Sequence, residues 1–218
     1  MVNSSPFESS APVDLYVNSR KAASVIVVRD RSPGEIEILM MRRAERPGDF
    51  RSGAVVFPGG VLDARDREAH AHCMGWDDVA ASQRLGLDQG GLDYWIAAAR
   101  ECFEEVGLLF LDPLSPQAAS QAHASWRAAM QAGEAGIAEL CQALGSRIDL
   151  RQWAYFAHWL TPLGRNKRFD TRFFVTVAPP GQEAVADRAE AVELMWVTPA
   201  EALDRAAEYK LLPVTRRN

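Results

Sequence analysis

Cysteine is scarce in this chain of 218 residues: Cys73, Cys102 and Cys141 form an odd, scattered set without a C-x-x-C pair. No disulfide framework follows from them, and the expected compartment is a reducing one, the cytosol. Long apolar runs are missing, so no transmembrane helix is expected. The opening MVNSSPFESSAPVDLYVNSRK lacks the basic and apolar regions of a secretory signal, and the closing LLPVTRRN carries no lipidation or peroxisomal signal. Positive charge is in deficit, with 24 Lys and Arg against 29 Asp and Glu and a net charge of −5. That balance disfavours nucleic acid and anionic membrane as partners, since both require a basic surface. A small anionic substrate is compatible with it, because a local field can oppose the average. Repeats and low-complexity tracts are also lacking. What is present is 48% apolar and 24% charged, the profile of a globular chain, long enough to bury about 70% of its unfolded surface.

Residues 1–20, rich in Ser and Pro, are expected to form a flexible arm. Ala23–Asp30 (ASVIVVRD) and Ile36–Arg42 (IEILMMR) read as β-strands joined in a hairpin through the RSPG turn. A charged loop leads to the short apolar run Ala54–Phe57 and then to Pro58-Gly59-Gly60. Asp63–Gly91 has no clear periodicity and carries four glycines, so an irregular insertion is expected there. Leu92–Val106 is a strong helix with Gly107 at its end, where a left-handed residue is wanted. Ser115-Pro116 opens a helical stretch that runs to about Leu144 with a break at Gly133–Gly136. Ala154–Leu160, Thr171–Ala178 and Ala191–Val197 read as strands, and Thr198-Pro199-Ala200-Glu201 as a capping box that opens a short last helix. The order is a mixed α/β pattern and not a regular βαβ array.

The first helix carries the chemistry. At about 100° per residue, Glu101, Glu104 and Glu105 share one face of roughly 100°, while Ile96, Ala99, Phe103 and Val106 lie opposite. Three like charges at i, i+3 and i+4 repel by some tenths of a kcal/mol per pair. A hard divalent cation removes the conflict, because Mg2+ and Mn2+ prefer carboxylate oxygen and water. A solvated acidic face partly neutralised by Arg100 is the competing explanation. The helix alone does not decide between them.

Arg100-Glu101-Cys102-Phe103-Glu104-Glu105-Val106-Gly107-Leu108, with Phe57-Pro58-Gly59-Gly60 upstream, resembles the signature of the Nudix hydrolase family, G-x5-E-x7-R-E-U-x-E-E-x-G-U, where U is aliphatic. Gly60 matches the opening glycine. The acid position counted from it falls on Asp66, and 33 residues then separate Asp66 from Arg100 where the family has seven. Trp159–Pro162, Arg168–Thr171 and Met195–Leu203 are similar to the later strands and last helix of that family. Phe57–Asp63 followed by a long insertion looks most like the branch that includes a mammalian peroxisomal coenzyme A diphosphatase.

The resemblance implies one domain over 1–218, an α/β/α sandwich with a mixed β-sheet, a box insertion at 67–92 and a helical insertion at 112–150. It implies hydrolysis of the pyrophosphate bond of a nucleoside diphosphate linked to another group, with coenzyme A or an acyl derivative as the first substrate to try. A nucleoside-diphosphate-sugar or dinucleotide pyrophosphatase and a non-catalytic ligand sensor are the alternatives. Glu101, Glu104 and Glu105 would be the ligands of Mg2+ or Mn2+. Gly59 and Gly60 would border the ion and the substrate, and Asp66 would support Arg100. The general base would be a signature Glu or a late-loop acid, Glu190 or Glu193. In the upstream pattern of coenzyme A pyrophosphatases Gly53 and Phe57 fit, while Asp49 stands where an arginine belongs; Arg43 and Arg51 are the substitutes. Arg168, in a second basic group with Arg165, Lys167 and Arg172, is a further candidate for substrate phosphates.

Other residues invite weaker readings. His70, His72 and Cys73 lack the matching pair that a zinc site needs. His123 is expected at the surface and His158 in a structural role, and Cys102 reads as a packed thiol. Trp126, Met130 and Leu140, at helical intervals, read as packing of the helical insertion, within the chain or in a homodimer.

Overall fold

The computed structural model describes residues 14–48 and 51–212. In chain order its elements are β1 (Ser19–Ser32), β2 (Glu35–Arg43), β3 (Val55–Val56), β4 (Gly59–Val61), a 3-10 helix (Ala64–His72), β5 (Cys73–Met74), α1 (Asp78–Leu85), α2 (Leu92–Val106), β6 (Leu111–Asp112), α3 (Pro116–Ser125), α4 (Arg127–Gln131), α5 (Ile137–Leu144), β7 (Arg147–Asp149), β8 (Ala154–Leu160), β9 (Arg168–Val177), β10 (Ala191–Val197) and α6 (Pro199–Asp204).

The β-branched runs of β1 and β2 pair as the hairpin that the RSPG turn predicts, Val28 opposite Ile38. β1 also pairs in parallel with β9, from Ser19 opposite Arg168 to Val28 opposite Val177. The main sheet runs β10-β2-β1-β9-β8, with β3 against β2 and β4 against β1. Alternation of side chains separates its two faces. Val25, Val27, Leu39, Met41 and Phe174 pack with Trp95, Ile96, Phe103 and Val106 of α2. Ile26, Ile38, Met40 and Phe173 pack with Ala202, Tyr209 and Leu211, in and after α6. The mixed sheet is therefore the middle layer of an α/β/α sandwich, and α2 lies on it because one side of that helix is apolar.

Asp63–Gly91 is more ordered than its sequence suggests. Asp63 caps the 3-10 helix by accepting from Arg65 N, and Asp66 returns to Asp63 N. Asp77 caps α1 through Ala80 N, and Gly86 closes that helix at φ 67°. Asp78 of α1 then accepts from Gly90 N and Leu92 N, both at 3.0 Å, and so satisfies the start of α2, which has no side-chain cap of its own. These elements are too short for periodicity to reveal. The later helical stretch breaks at Trp126 as well as after Gln131. A second sheet, β5-β7-β6, joins the two segments through Ile148, which lies opposite both Cys73 and Leu111.

Residues 1–13 of the expected arm, Asp49 and residues 213–218 lie outside the described residues. The remainder of the arm is tied down: Ser19 and Arg20 belong to β1, and Arg168 donates to the carbonyls of Leu15 and Val17.

Two glycines beside α1 separate backbone conformation from close approach. Gly86 is left-handed with open space where a Cβ would stand, whereas a Cβ on Gly91 would lie 2.3 Å from Ser82 N and 2.5 Å from the Ala81 carbonyl carbon. Gly86→Ala is expected to cost about 1–2 kcal/mol, the left-handed penalty alone. Gly91→Ala is expected to cost at least the roughly 3 kcal/mol at the upper end of overpacking, because backbone must move. Urea denaturation of both variants checks the ranking; equal losses would contradict it.

Candidate active site

The apolar side of α2 is fully packed, and Gly107 ends the helix at φ 75°. The acidic side is covered too. The side chains of Glu101, Glu104 and Glu105 are 15%, 12% and 5% exposed, which excludes a solvated acidic face. β4 covers Glu101 and Glu105, and it can come so close only because it starts with two glycines. A Cβ on Gly60 would lie 2.3 Å from Glu101 Oε1, and one on Gly59 would lie 2.3 Å from Ala23 O. Gly59 N donates to Glu105 Oε2 at 2.8 Å. Each glycine is thus demanded by a different contact.

Arg100 organises the acids. Its Nε donates to Asp66 Oδ1 at 2.7 Å and its Nη2 to Asp66 Oδ2 at 3.3 Å and to Val61 O at 3.0 Å. Its Nη1 donates to Glu101 Oε1 at 2.9 Å and to Glu104 Oε1 at 3.3 Å. The extra residues of the box enter after Asp66, so this shorter acid, at the family spacing from Gly60, reaches the guanidinium. Asp93, near the start of α2, instead meets His70 Nε2 at 2.6 Å and Arg67 Nη2 at 3.1 Å.

Burial dominates the electrostatics. It pushes Glu101 up to about 7 despite the pull of Arg100, raises Glu104, and raises Glu105 well above the usual carboxylate range with help from Glu101. Burial draws the Arg100 pKa down, but Glu101 and Asp66 outweigh it and the guanidinium stays charged. The Cys102 thiol is pushed up by burial, in keeping with a packed group.

Arg43 and Glu190 join this cluster. Arg43 Nη1 stands 3.9 Å from Glu105 Oε1 and its Nη2 3.6 Å from Glu190 Oε2. Arg46 Nη1 stands 3.7 Å from Glu190 Oε1. The other candidates are placed elsewhere. Glu193 pairs with Arg42 at 2.7 Å, and Arg42 lies towards Tyr209 on the sheet face away from α2. Arg51 lies over the ring of Phe169 at 5.4 Å, on that same far face. Arg168 is buried and donates to backbone carbonyls of Thr161, Pro162, Leu15 and Val17. Ser19, its partner in β1, precedes Ala23, the partner of Gly60, by four residues, or about 13 Å of strand. His158 bonds Asp170 at 2.5 Å. His123 is half-buried against Phe103, ring centroids 5.4 Å apart, and not at the surface.

Three supporting residues escape the sequence reading. Arg127 Nε and Gln131 Nε2, on α4, donate to Glu104 O at 3.0 and 2.6 Å. Arg127 Nη2 also reaches Val185 O at 2.7 Å, and Gln131 Nε2 reaches Asp187 Oδ2 at 3.0 Å. Asp187 in turn accepts from the amides of Ala189, Glu190 and Ala191. The available signal was a polar pair at i, i+4 in an Ala-rich helix and an Asp three residues before Glu190.

The chemistry of the acids suits a hard divalent cation, because the donors are carboxylate oxygens whose mutual repulsion is relieved by positive charge. Among the described residues no three such groups are already gathered as a ligand cluster. Arg100 stands between Glu101 and Glu104, and a cation there would take over part of its role.

Two outcomes follow. Asp66→Ala leaves the buried Arg100 without its bidentate partner and is expected to cost about 3–5 kcal/mol in urea denaturation; a loss below 1 kcal/mol would show that the pair is dispensable. With divalent cations chelated, the raised acids bind protons in the folded state that the unfolded chain has released. Stability should then fall as pH rises from the ordinary Glu range, about 4.3, to about 7. Melting temperatures over that window should lose most of this slope in Glu101→Gln/Glu105→Gln; an unchanged slope would contradict the assignment.

The chain matches the NUDT19 Nudix domain over residues 77–212 and the NUDIX domain over residues 18–129. It is 29% identical over 243 residues to acyl-coenzyme A diphosphatase NUDT19 of Gallus gallus, covering 85% of this chain and 62% of that protein. It is 30% identical over 241 residues to acyl-coenzyme A diphosphatase NUDT19 of Homo sapiens, covering 85% and 63%. The chain therefore spans less than two thirds of the length of these relatives. The crystal structure of a NUDIX hydrolase from Alicyclobacillus acidocaldarius is similar with a TM-score of 0.68 at 27% identity, covering 91% of this chain and 88% of that one. Each of the two domain matches takes in more than half of the residues, and the chain belongs to the Nudix family.

Proposed function

We propose that this protein is a Nudix diphosphatase that hydrolyses the pyrophosphate bond of a nucleoside diphosphate linked to a further group, with coenzyme A or an acyl-coenzyme A as the preferred substrate. The observation that carries this reading is the burial of Glu101, Glu104 and Glu105 around Arg100, with Glu101 and Glu105 against the backbone of Gly60 and Gly59. Three acids withdrawn from solvent have no use as a surface, and their carboxylate oxygens suit a hard cation facing phosphate. The substrate class is supported by the similarity to two proteins named acyl-coenzyme A diphosphatase.

In this reading Glu101, Glu104 and Glu105 hold Mg2+ or Mn2+. Such an ion, when bound, neutralises phosphoryl oxygens and acidifies water. The chain's own residues set the rest. The Gly59 amide fixes Glu105 Oε2, and Arg43 keeps Glu105 Oε1 and Glu190 within reach of one guanidinium. Burial keeps bulk water away from the acids and strengthens every charge interaction at the reacting phosphate. Glu190, 44% exposed and beside Arg43 and Arg46, is in this reading the late-loop acid that accepts a proton, whereas Glu193 pairs with Arg42 on the other side of the sheet. Asp66 holds Arg100, which in turn holds the acids in register.

Glu105→Gln should lower kcat on coenzyme A at least about 100-fold, and Glu193→Gln should leave it within about two-fold. Chelation should abolish turnover and Mn2+ or Mg2+ should restore it. The reaction adds water across the P–O–P bond and yields two phosphomonoesters, so chromatographic separation of those products from coenzyme A, acyl-coenzyme A, a nucleoside-diphosphate sugar and a dinucleotide reads all of these outcomes. Near-wild-type turnover by Glu105→Gln would sink the proposal.

A further inference from the structure

The sequence offers Arg43, Arg51 and Arg168 as phosphate ligands, and the structure engages each of them elsewhere: with Glu105 and Glu190, over Phe169, and with backbone carbonyls. A different arginine faces open space beside the acids. A cavity of about 210 Å3 lies between the start of the 3-10 helix and the α4–α5 loop. Asp63, Arg65, Arg100 and Glu104 line it on one side, and Met130 and residues of the 133–136 loop on the other. Its floor is the outer edge of the acid cluster, because Glu104 and Arg100 belong to both.

Within it the two arginines differ. Arg100 is saturated by Asp66, Glu101, Glu104 and Val61 O. The Arg65 guanidinium has a single contact among the described residues: Nη1 donates to Gly133 O at 2.7 Å. No carboxylate pairs with it among those residues; Asp63, which also lines the cavity, accepts from the Arg65 backbone amide. Its remaining N–H donors are therefore available to an anion. The Gly133 contact steers the guanidinium without neutralising it. The opposite wall is small and partly apolar, which leaves room for a phosphate and the first atoms of the group attached to it.

We propose that Arg65 is a substrate-binding residue: it bonds non-bridging oxygens of the diphosphate in this cavity, and the α4–α5 loop shapes the space for the attached group. This rests on the diphosphatase reading above and adds a residue that the family signature leaves unspecified. The helical insertion thereby becomes a wall of the binding site, beyond its packing role.

The test combines kinetics with equilibrium binding. Arg65→Gln should raise KM for coenzyme A about ten-fold or more, as expected for loss of a charge-assisted hydrogen bond, with a much smaller change in kcat. Arg65→Lys should recover part of that loss, and the KM of Arg65→Gln should depend less on ionic strength than that of the wild type. Ala135→Phe, which fills the cavity from the other wall, should raise KM with the guanidinium intact. Titration calorimetry with ADP as the probe tests the same contact without turnover, wild type against Arg65→Gln. Weaker ADP binding by Arg65→Gln supports the proposal even if no substrate is found to turn over. Equal ADP affinities, or a lowered melting temperature with KM unchanged, would show that Arg65 only braces the 133–136 loop and would overturn it. A wild type that binds ADP through Arg65 yet hydrolyses no diphosphate would instead overturn the diphosphatase reading alone.

Discussion

The guanidinium of Arg100 is the constraint on which the rest of the site depends. Three carboxylates on one helix face are tolerable in water and costly when covered, because burial removes the solvation that charge requires. Here they are covered, and one delocalised cation meets Asp66, Glu101 and Glu104 together with the Val61 carbonyl. The planar fork of arginine makes this arrangement workable; lysine, a single point charge, could not serve four acceptors in fixed directions. The same contacts join α2 to β4 and to the 3-10 helix, so the electrostatic solution is also a packing solution. A divalent cation would share this task with Arg100, since both relieve the same repulsion.

That arrangement explains why a long insertion inside the signature is harmless. The chain keeps the spacing from Gly60 to Asp66, inserts after it, and then rebuilds the start of α2 from within the insertion. Asp78 supplies the acceptors that Gly90 N and Leu92 N need, and Gly91 lets α1 cross closely. His70 and Arg67 hold Asp93. Both ends of the inserted segment are thus tied to the helix that follows it in sequence, and β5 carries it on to β7 and the helical insertion.

Legibility in the sequence followed the length of the signal. α2 could be bounded because fifteen residues carry an amphipathic period and a glycine stops them, and β10 and the capping box of α6 stood out for similar reasons. The 3-10 helix, α1 and the two- or three-residue strands of the small sheet were invisible, since caps and pairing define them and periodicity does not. At the candidate site, the acids, the glycine pair and Asp66, which the structure brings together, could be named in advance from their spacing. The choice between Glu190 and Glu193 could not be made. Residues two apart in a strand normally share a face, but the pairing of β10 with β2 shifts between Ala191 and Glu193, and that irregularity sends Glu193 to the Arg42 side. Nor could sequence show which arginines were already committed, because Arg168 is occupied by carbonyls from a segment about 150 positions away.

The helical insertion looks, in sequence, like an appendage rich in alanine. Its contacts argue otherwise. The carbonyl of Glu104 lies in the last turn of α2, where the helix has unsatisfied acceptors and partial negative charge. Arg127 and Gln131 both donate to it, which places a positive charge where the helix dipole favours one. The same two side chains reach Val185 and Asp187, and Asp187 gathers the amides that set Glu190. One short helix therefore fixes the distance between two parts of the site that are far apart in the chain: the acids of α2 and the late-loop acid. Loosening α4 would leave Glu101, Glu104, Glu105 and Glu190 present while relaxing their mutual spacing, and the proposed phosphoryl chemistry would depend on that spacing far more steeply than the stability of the fold does.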